Sequence, residues 1–179
     1  MIKIKDKTFE LFISNKEIKL KTNKIVKSLQ ECYVDKNPIF FIILDGAFVF
    51  GADVFQKCKI KNSEVEFMKL KSYDGLENTG SLKTILKSNK QIKNRNVIII
   101  EDIVDSGFTI NHIVKMFKKE NAKTIEVVSL LYKPNNYNYN HNIKWYGFEI
   151  PNDFVIGYGL DYNGIGRELN EIYKLKIKT

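Results

Sequence analysis

Val97–Thr109 reads VIIIEDIVDSGFT, and the order of residue types in it decides the fold. The first four residues, Val97–Ile100, are apolar and β-branched, a run that suits a strand buried on both faces. Glu101 and Asp102 follow at once, then the short polar loop Asp105-Ser106-Gly107-Phe108-Thr109. After the loop, Ile110, Ile113, Val114 and Phe117 recur at helical spacing. A strand, a glycine-containing loop and a helix in this order belong to a parallel α/β sheet, whose ligands sit at the carboxyl ends of the strands.

Two adjacent carboxylates are poorly placed for a core, where unpaired charge is costly. They are well placed to accept hydrogen bonds from a vicinal diol or to hold a divalent metal. The loop entering a helix N-terminus presents backbone N–H groups to an anion, and Ser106 and Thr109 add hydroxyl donors. Diol acceptors beside a phosphate cradle fit a ribose 5-phosphate. A nucleotide P-loop is excluded, because no G-x-x-x-x-G-K-[ST] occurs. The plain structural alternative is a capped turn, with Asp105 or Ser106 as N-cap and the acidic pair exposed at a strand end.

Outward from this unit the pattern alternates strand and helix. Thr22 is expected to cap a helix carrying Ile25, Val26, Leu29 and Tyr33. Ile39–Leu44 reads as a buried strand, and Ala47, Phe50, Gly51, Val54 and Phe55 as the helix after Gly46. Val65, Phe67 and Leu70 belong to a second strand, Asp74–Ser81 to a polar loop, and Ile125–Leu131 to a fourth strand. Residues 134–142, PNNYNYNHN, break the pattern, and the remainder reads as short strands and turns. The expected fold is α/β: a central parallel sheet flanked by helices on both faces, with a small appended lobe. Residues 1–179 form one domain in this reading.

Composition narrows the function class. With 44% hydrophobic and 12% aromatic residues, the 179-residue chain can bury a core. MIKIKDKTFE lacks the apolar stretch of a signal peptide, and Ile39–Leu44 is too short to span a bilayer. Neither a membrane nor a nucleic acid is an expected partner. The net charge of +8 comes almost entirely from scattered lysines, with Arg95 and Arg167 the two arginines, whereas phosphate-clamping and base-reading surfaces lean on arginine. Cys32 and Cys58 have no metal-ligand spacing and suit a reducing cytoplasm.

The thirteen residues from Val97 resemble the phosphoribosyl-diphosphate signature of type I phosphoribosyltransferases: four apolar residues, two acidic ones, then D-[ST]-G-x-T, with Phe108 at the variable position. From about Pro38 to Leu175 the chain resembles the hypoxanthine–guanine branch of that family. LDGAFVFGADVF (44–55), LKSYDGLENTGSLK (70–83), SLLYKP (129–134) and FEIPNDFVIGYGLDYNGIGREL (148–169) carry the likeness. It implies the type I phosphoribosyltransferase fold, with a hood contributed by the N-terminus and about 134–179. It also implies Mg2+ as cofactor, phosphoribosyl diphosphate and a purine base as partners, and a homodimer or homotetramer.

Residue roles follow from the same resemblance. Glu101 and Asp102 would grip the ribose hydroxyls and, with Asp161, hold the metal. Ser106, Gly107, Phe108 and Thr109 would cradle the 5-phosphate, and Asp105 would act as general base on the attacking ring nitrogen. Lys133 would donate to the exocyclic oxygen of a 6-oxopurine, a contact that repels the amine of adenine. Phe154 would stack on the base, the Val155 backbone would satisfy its edge, and Asp161 would complete the pocket. Asp45, Gly46, Ser72, Tyr73 and Arg167 would bind the diphosphate, with Tyr73 at the start of a closing loop. Three positions depart from the family pattern: Asp45 stands where many relatives have lysine, and Gly164 and Gly166 where bulkier residues are frequent. The implied activity is purine salvage, giving IMP or GMP and diphosphate. Two alternatives stay open: a regulator of the same fold that senses phosphoribosyl diphosphate, and a xanthine-specific transferase.

Overall fold

The computed structural model describes residues 1–72 and 82–176. The chain opens with strands β1 (Ile2–Ile4) and β2 (Lys7–Ile13), which the sequence reading did not anticipate. Helix α1 (Asn15–Tyr33) follows, then β3 (Ile39–Leu44), α2 (Phe48–Cys58), β4 (Glu64–Ser72) and β5 (Leu82–Leu86). The second half holds β6 (Asn96–Val104), α3 (Phe108–Lys119), β7 (Thr124–Tyr132), β8 (Trp145–Glu149), β9 (Val155–Ile156) and β10 (Ile172–Leu175).

Among the described residues the strands form two sheets. The larger has the order β5-β4-β3-β6-β7-β8 and is parallel except for β5, which pairs antiparallel to β4 at the edge. The smaller, β1-β2-β10-β9, is antiparallel and joins the two ends of the chain. The central sheet is thus parallel, as the sequence suggested, with one antiparallel strand added at its edge. A short return of the chain after β4 needs no crossover helix, and an antiparallel neighbour is what such a return makes.

Residue alternation sorts the apolar strands onto two cores. Phe40, Ile42, Ile98, Ile100, Val128 and Leu130 pack against α1 and α2, while Phe41, Ile43, Val97, Ile99 and Val127 pack against α3. Both faces are covered, which is why these strands are apolar throughout instead of alternating. No helix among the described residues is long and apolar enough to cross a membrane.

Helix α1 begins a full two turns earlier than Thr22. Ser14 is its N-cap: the Glu17 N–H donates to Ser14 Oγ, and the Ser14 N–H donates to the Glu17 carboxylate at 2.9 Å, a reciprocal capping box. Thr22 lies inside the helix, fully buried, its hydroxyl donating back to the Ile18 carbonyl at 2.9 Å. A threonine hydroxyl satisfied within its own helix can sit mid-helix as well as at a cap, so residue type alone misplaced this start.

Candidate active site

The connections leaving β3 and β6 diverge: β3 leads through α2 to β4 on one side, and β6 leads through α3 to β7 on the other. Such a divergence between adjacent parallel strands opens a crevice at their carboxyl ends. The register makes that opening explicit, since β3 pairs with β6 only as far as Ile100. Glu101 and Asp102 come next. They were expected beyond the end of the strand, but β6 continues to Val104 because β7 stays paired with it there. The two carboxylates therefore project to opposite faces.

Glu101 points toward α3 and lines a small pocket of about 80 Å³ with Asp105, Ser106, Gly107 and Thr109. Its Oε2 is buried with no hydrogen-bond partner. Burial first, and the charge of Asp102 second, push its carboxyl well above the ordinary range. Gly107 precedes α3 in a left-handed conformation, φ 82°, and is its N-cap, so neither Asp105 nor Ser106 holds that position, although Ser106 Oγ accepts from the Phe108 N–H at 3.4 Å. Beyond Phe108, the N–H groups of a helix's first turn have no partner within the helix and suit an anion.

Asp102 points the other way and touches the turn after β3. A Cβ on Gly46 would lie 1.6 Å from Asp102 Oδ2, so no larger residue fits at position 46 without displacing the carboxylate. Burial raises the Asp102 carboxyl to about 6, against opposing hydrogen bonds from the Ile103 and Asp102 backbone and the attraction of Arg167, and with repulsion from Asp161 adding to the rise. Gly159, φ 103°, closes on the same turn from the far side: a Cβ there would meet the Gly46 carbonyl at 2.0 Å. Arg167 donates to the Gly159 carbonyl at 2.7 Å and pairs with Asp161 at 2.7 Å, while Asp161 Oδ2 accepts from the Gly164 N–H at 2.6 Å. Gly164 and Gly166 both have positive φ, 81° and 103°, which accounts for glycine at these two positions. Gly46, Asp102, Asp161 and Arg167, far apart in sequence, are thus brought to one place.

Asp105 is held by the loop after β7. Its Oδ2 accepts from Lys133 at 2.7 Å and its Oδ1 from the Asn136 amide. Burial works against the Asp105 charge, but these two donors outweigh it and hold the carboxyl below its ordinary value. The backbones zip alongside: Lys133 N–H donates to the Val104 carbonyl at 2.9 Å and Asn138 N–H to the Ser106 carbonyl at 3.2 Å. Lys133 itself is buried.

Phe154 is half-exposed and lies against the second sheet, 6.3 Å from the Phe9 ring and 5.9 Å from Tyr162. Val155 sits on β9, the edge strand of that sheet. Phe154 and Leu175 form a hydrogen-bonded pair, and Val155 faces Lys174 in the next position. In an antiparallel ladder bonded and non-bonded pairs alternate, so the N–H and C=O of Val155 point away from β10, to the open edge. Ser72 ends β4; Tyr73 and the Asp74–Ser81 loop lie outside the described residues. A roomier cleft of about 770 Å³ lies behind α3, lined by Lys115, Lys118 and Asn138–Asn142; it contains neither acidic residue of the pair nor Asp105.

A profile of the phosphoribosyl transferase domain matches residues 12–163, most of the chain and all but the Arg167 edge of the crevice described above. The chain belongs to the phosphoribosyltransferase family. It is 38% identical over 174 residues to the hypoxanthine phosphoribosyltransferase of Buchnera aphidicola, covering 96% of this chain and 98% of that protein. To the hypoxanthine-guanine phosphoribosyltransferase of Bacillus subtilis it is 36% identical, covering 93% of each. Among solved structures, a hypoxanthine phosphoribosyltransferase from Staphylococcus aureus superposes with a TM-score of 0.87 at 32% identity, over 93% of this chain and 91% of that one. One from Trypanosoma cruzi, in complex with the product IMP, gives 0.85 at 28% identity over 98% of each chain.

For a phosphoribosyltransferase the acidic residues carry a further question, that of magnesium. Among the described residues no three His, Cys, Asp or Glu side chains gather as a cage, and Glu101, Asp102 and Asp161 do not converge. Magnesium does not require one: it is commonly held by one or two carboxylates together with substrate phosphates. Asp102 and Asp161, close enough to repel each other beside Arg167, fit that donor set. Glu101 is separated from them on the α3 face.

Two neighbours of the site were missed by sequence reasoning. Asn136 lies in the Asn/Tyr-rich stretch, where nothing in the pattern distinguishes it from four other asparagines between 135 and 142. Lys69 donates to both carboxylate oxygens of Asp45, at 2.8 and 2.7 Å. Its signal was the strand register, Leu44 opposite Lys69, which only the fold reveals.

Proposed function

We propose that this phosphoribosyltransferase transfers the 5-phosphoribosyl group of phosphoribosyl diphosphate to a 6-oxopurine, hypoxanthine or guanine, releasing IMP or GMP and diphosphate. The observation that carries it is the joining of three loops around one crevice. The phosphate loop after β6, the Asp105–Lys133 pair, and the Gly46–Asp102–Arg167 cluster lie at the ends of neighbouring strands. Curated relatives similar over nearly their whole length bear this activity in their names.

In this mechanism the 5-phosphate enters the pocket of Ser106, Gly107, Phe108 and Thr109, held by backbone N–H groups and the positive end of α3. Glu101 and Asp102, otherwise unfavourably buried, accept hydrogen bonds from the ribose hydroxyls on two sides. Arg167 and the backbone at Gly46 hold the diphosphate. Lys69, anchored by Asp45, supplies the ammonium that position 45 lacks. Magnesium, bound through Asp161 and Asp102, would neutralise charge on the departing diphosphate. Lys133 donates to the 6-oxo group, Phe154 stacks on the ring and Val155 offers N–H and C=O to the edge of the base. Asp105, kept ionised by its two donors, accepts the proton from the attacking ring nitrogen.

Assaying purified protein with Mg2+, phosphoribosyl diphosphate and each base tests this reading: hypoxanthine or guanine is consumed and adenine is not. The enzyme acts as a homodimer or homotetramer in the cytoplasm in this account, and sedimentation gives the oligomer size.

A further inference from the structure

We propose that Asn136 is a positioning residue for the base at Asp105, fixing the carboxylate while Lys133 is shared with the substrate. This rests on the reading of Asp105 as the proton acceptor. Each Asp105 oxygen has one donor, Lys133 on Oδ2 and Asn136 on Oδ1. The two donors differ in what else they must do. Lys133 is also the group that meets the 6-oxo oxygen of the incoming purine, so its hold on Asp105 weakens as the base arrives. Asn136 has no second task, and its amide stays on the carboxylate throughout.

The loop is built to keep it there. Pro134 begins a single 3-10 turn through Asn136, the Asn136 N–H donates to the Lys133 carbonyl at 3.1 Å, and its own carbonyl accepts from the Asn138 amide at 2.8 Å. Asn138 in turn donates its backbone N–H to Ser106. Tyr137 and Tyr139 cover Gly107 so closely that a Cβ there would lie 2.3 Å from the Tyr137 ring. The Asn/Tyr-rich stretch, which has no place in the α/β pattern, is therefore the back wall of the catalytic loop.

A neutral amide donating to a carboxylate favours its charged form. The charged and titratable neighbours of Asp105 are Lys133 and, across the small loop pocket, Glu101. Removing the amide leaves Lys133 alone against burial, so Asp105 must bind its proton more tightly.

The test is the pH dependence of kcat/KM with hypoxanthine for three variants. Asn136→Ala is expected to move the acid limb to higher pH and to lower kcat about tenfold, with KM for phosphoribosyl diphosphate within about twofold. Asn136→Asp keeps the side-chain shape but replaces the donor by a like charge, and should move the limb further, by about one pH unit or more. Should the alanine variant not fold, the aspartate variant carries the test alone. Asn135→Ala, an exposed neighbour, should leave the profile where it is. Acid limbs of the Asn136 variants that coincide with the parent's, or an equal shift in Asn135→Ala, would overturn the proposal. Asp105→Asn run alongside separates the two ideas: full turnover there sinks the base itself, whereas lost turnover with unmoved Asn136 limbs sinks only the positioning role.

Discussion

At the residue scale the pair Asp45–Lys69 deals with one of the positions at which the sequence was expected to depart from the family pattern. Both side chains are partly exposed, and exposed ion pairs contribute little to stability. Its value then lies in where it puts a cation. Lys69→Ala should raise KM for phosphoribosyl diphosphate roughly tenfold while leaving kcat near its parent value, the signature of lost uniform binding. Thermal melting should hardly change. Exchanging the two residues, Asp45→Lys with Lys69→Asp, should restore most of the affinity, because the ammonium returns to the same place; steady-state kinetics on both variants decide this. Lys133 has a different standing. It is buried and holds Asp105, so its removal damages both base reading and proton transfer, and no single rate constant isolates one role.

At the element scale the turn after β3 is the tightest joint in the site. Gly46 is pressed between Asp102 on β6 and the carbonyl contact with Gly159, leaving no volume for a methyl group. Gly46→Ala should therefore separate β3 from the acidic strand and cost about a hundredfold in kcat/KM, as displacements of about 1 Å at a reacting centre do. A folded variant with parent activity would contradict this packing. The start of α1 offers the opposite case, an element far from the chemistry. Ser14→Ala removes the capping box and should cost about 1 kcal/mol. That lowers Tm by about 2–4 °C for a domain of this size, with kcat unchanged.

The same scale shows what was legible beforehand. Strand–loop–helix order around Val97–Thr109 could be read because burial on both faces leaves an unbroken apolar run and the loop must be polar. The Asp45 departure was visible, but its partner Lys69 was not, since a cross-strand contact depends on register. Thr22 was mistaken for a cap because threonine satisfies its hydroxyl equally well inside a helix. β1 and β2 went unseen although Ile2 and Ile4, then Phe9, Leu11 and Ile13, fall at every second position; the strands are short and gain stability by pairing with β10 from the other end of the chain. Asn136 had no local signature at all, since its partner is 31 residues away.

At the scale of the whole molecule the ligand-free protein carries a cost at its acidic strand. Asp102 has a carboxyl raised to about 6 and Glu101 one raised well above its ordinary range. Both bind a proton more tightly folded than unfolded. Their contribution to stability is full below the unfolded carboxylate range, near pH 4, and for Asp102 is lost as pH rises through about 6. Asp102→Asn should then raise the Tm of metal-free, ligand-free protein at pH 7.5, by an amount corresponding to roughly 2–3 kcal/mol, and should raise it less at about pH 4.5. A lower Tm at pH 7.5 would contradict the burial argument. Activity should fall in the same variant, because the amide that relieves the empty site is a poorer acceptor for the ribose hydroxyls.

The central claim is that Val97–Thr109 and the loops beside it form a catalytic crevice rather than only a binding one. The direct measurement is nucleotide formed by purified protein given Mg2+, phosphoribosyl diphosphate and hypoxanthine, guanine or adenine, with Asp105→Asn beside the parent. The account predicts IMP or GMP and equimolar diphosphate from the parent, none from adenine, and a large loss of turnover in the variant with phosphoribosyl diphosphate still bound. Tight binding of phosphoribosyl diphosphate by the parent, with no nucleotide from any base, would contradict it and mark the crevice as a sensor.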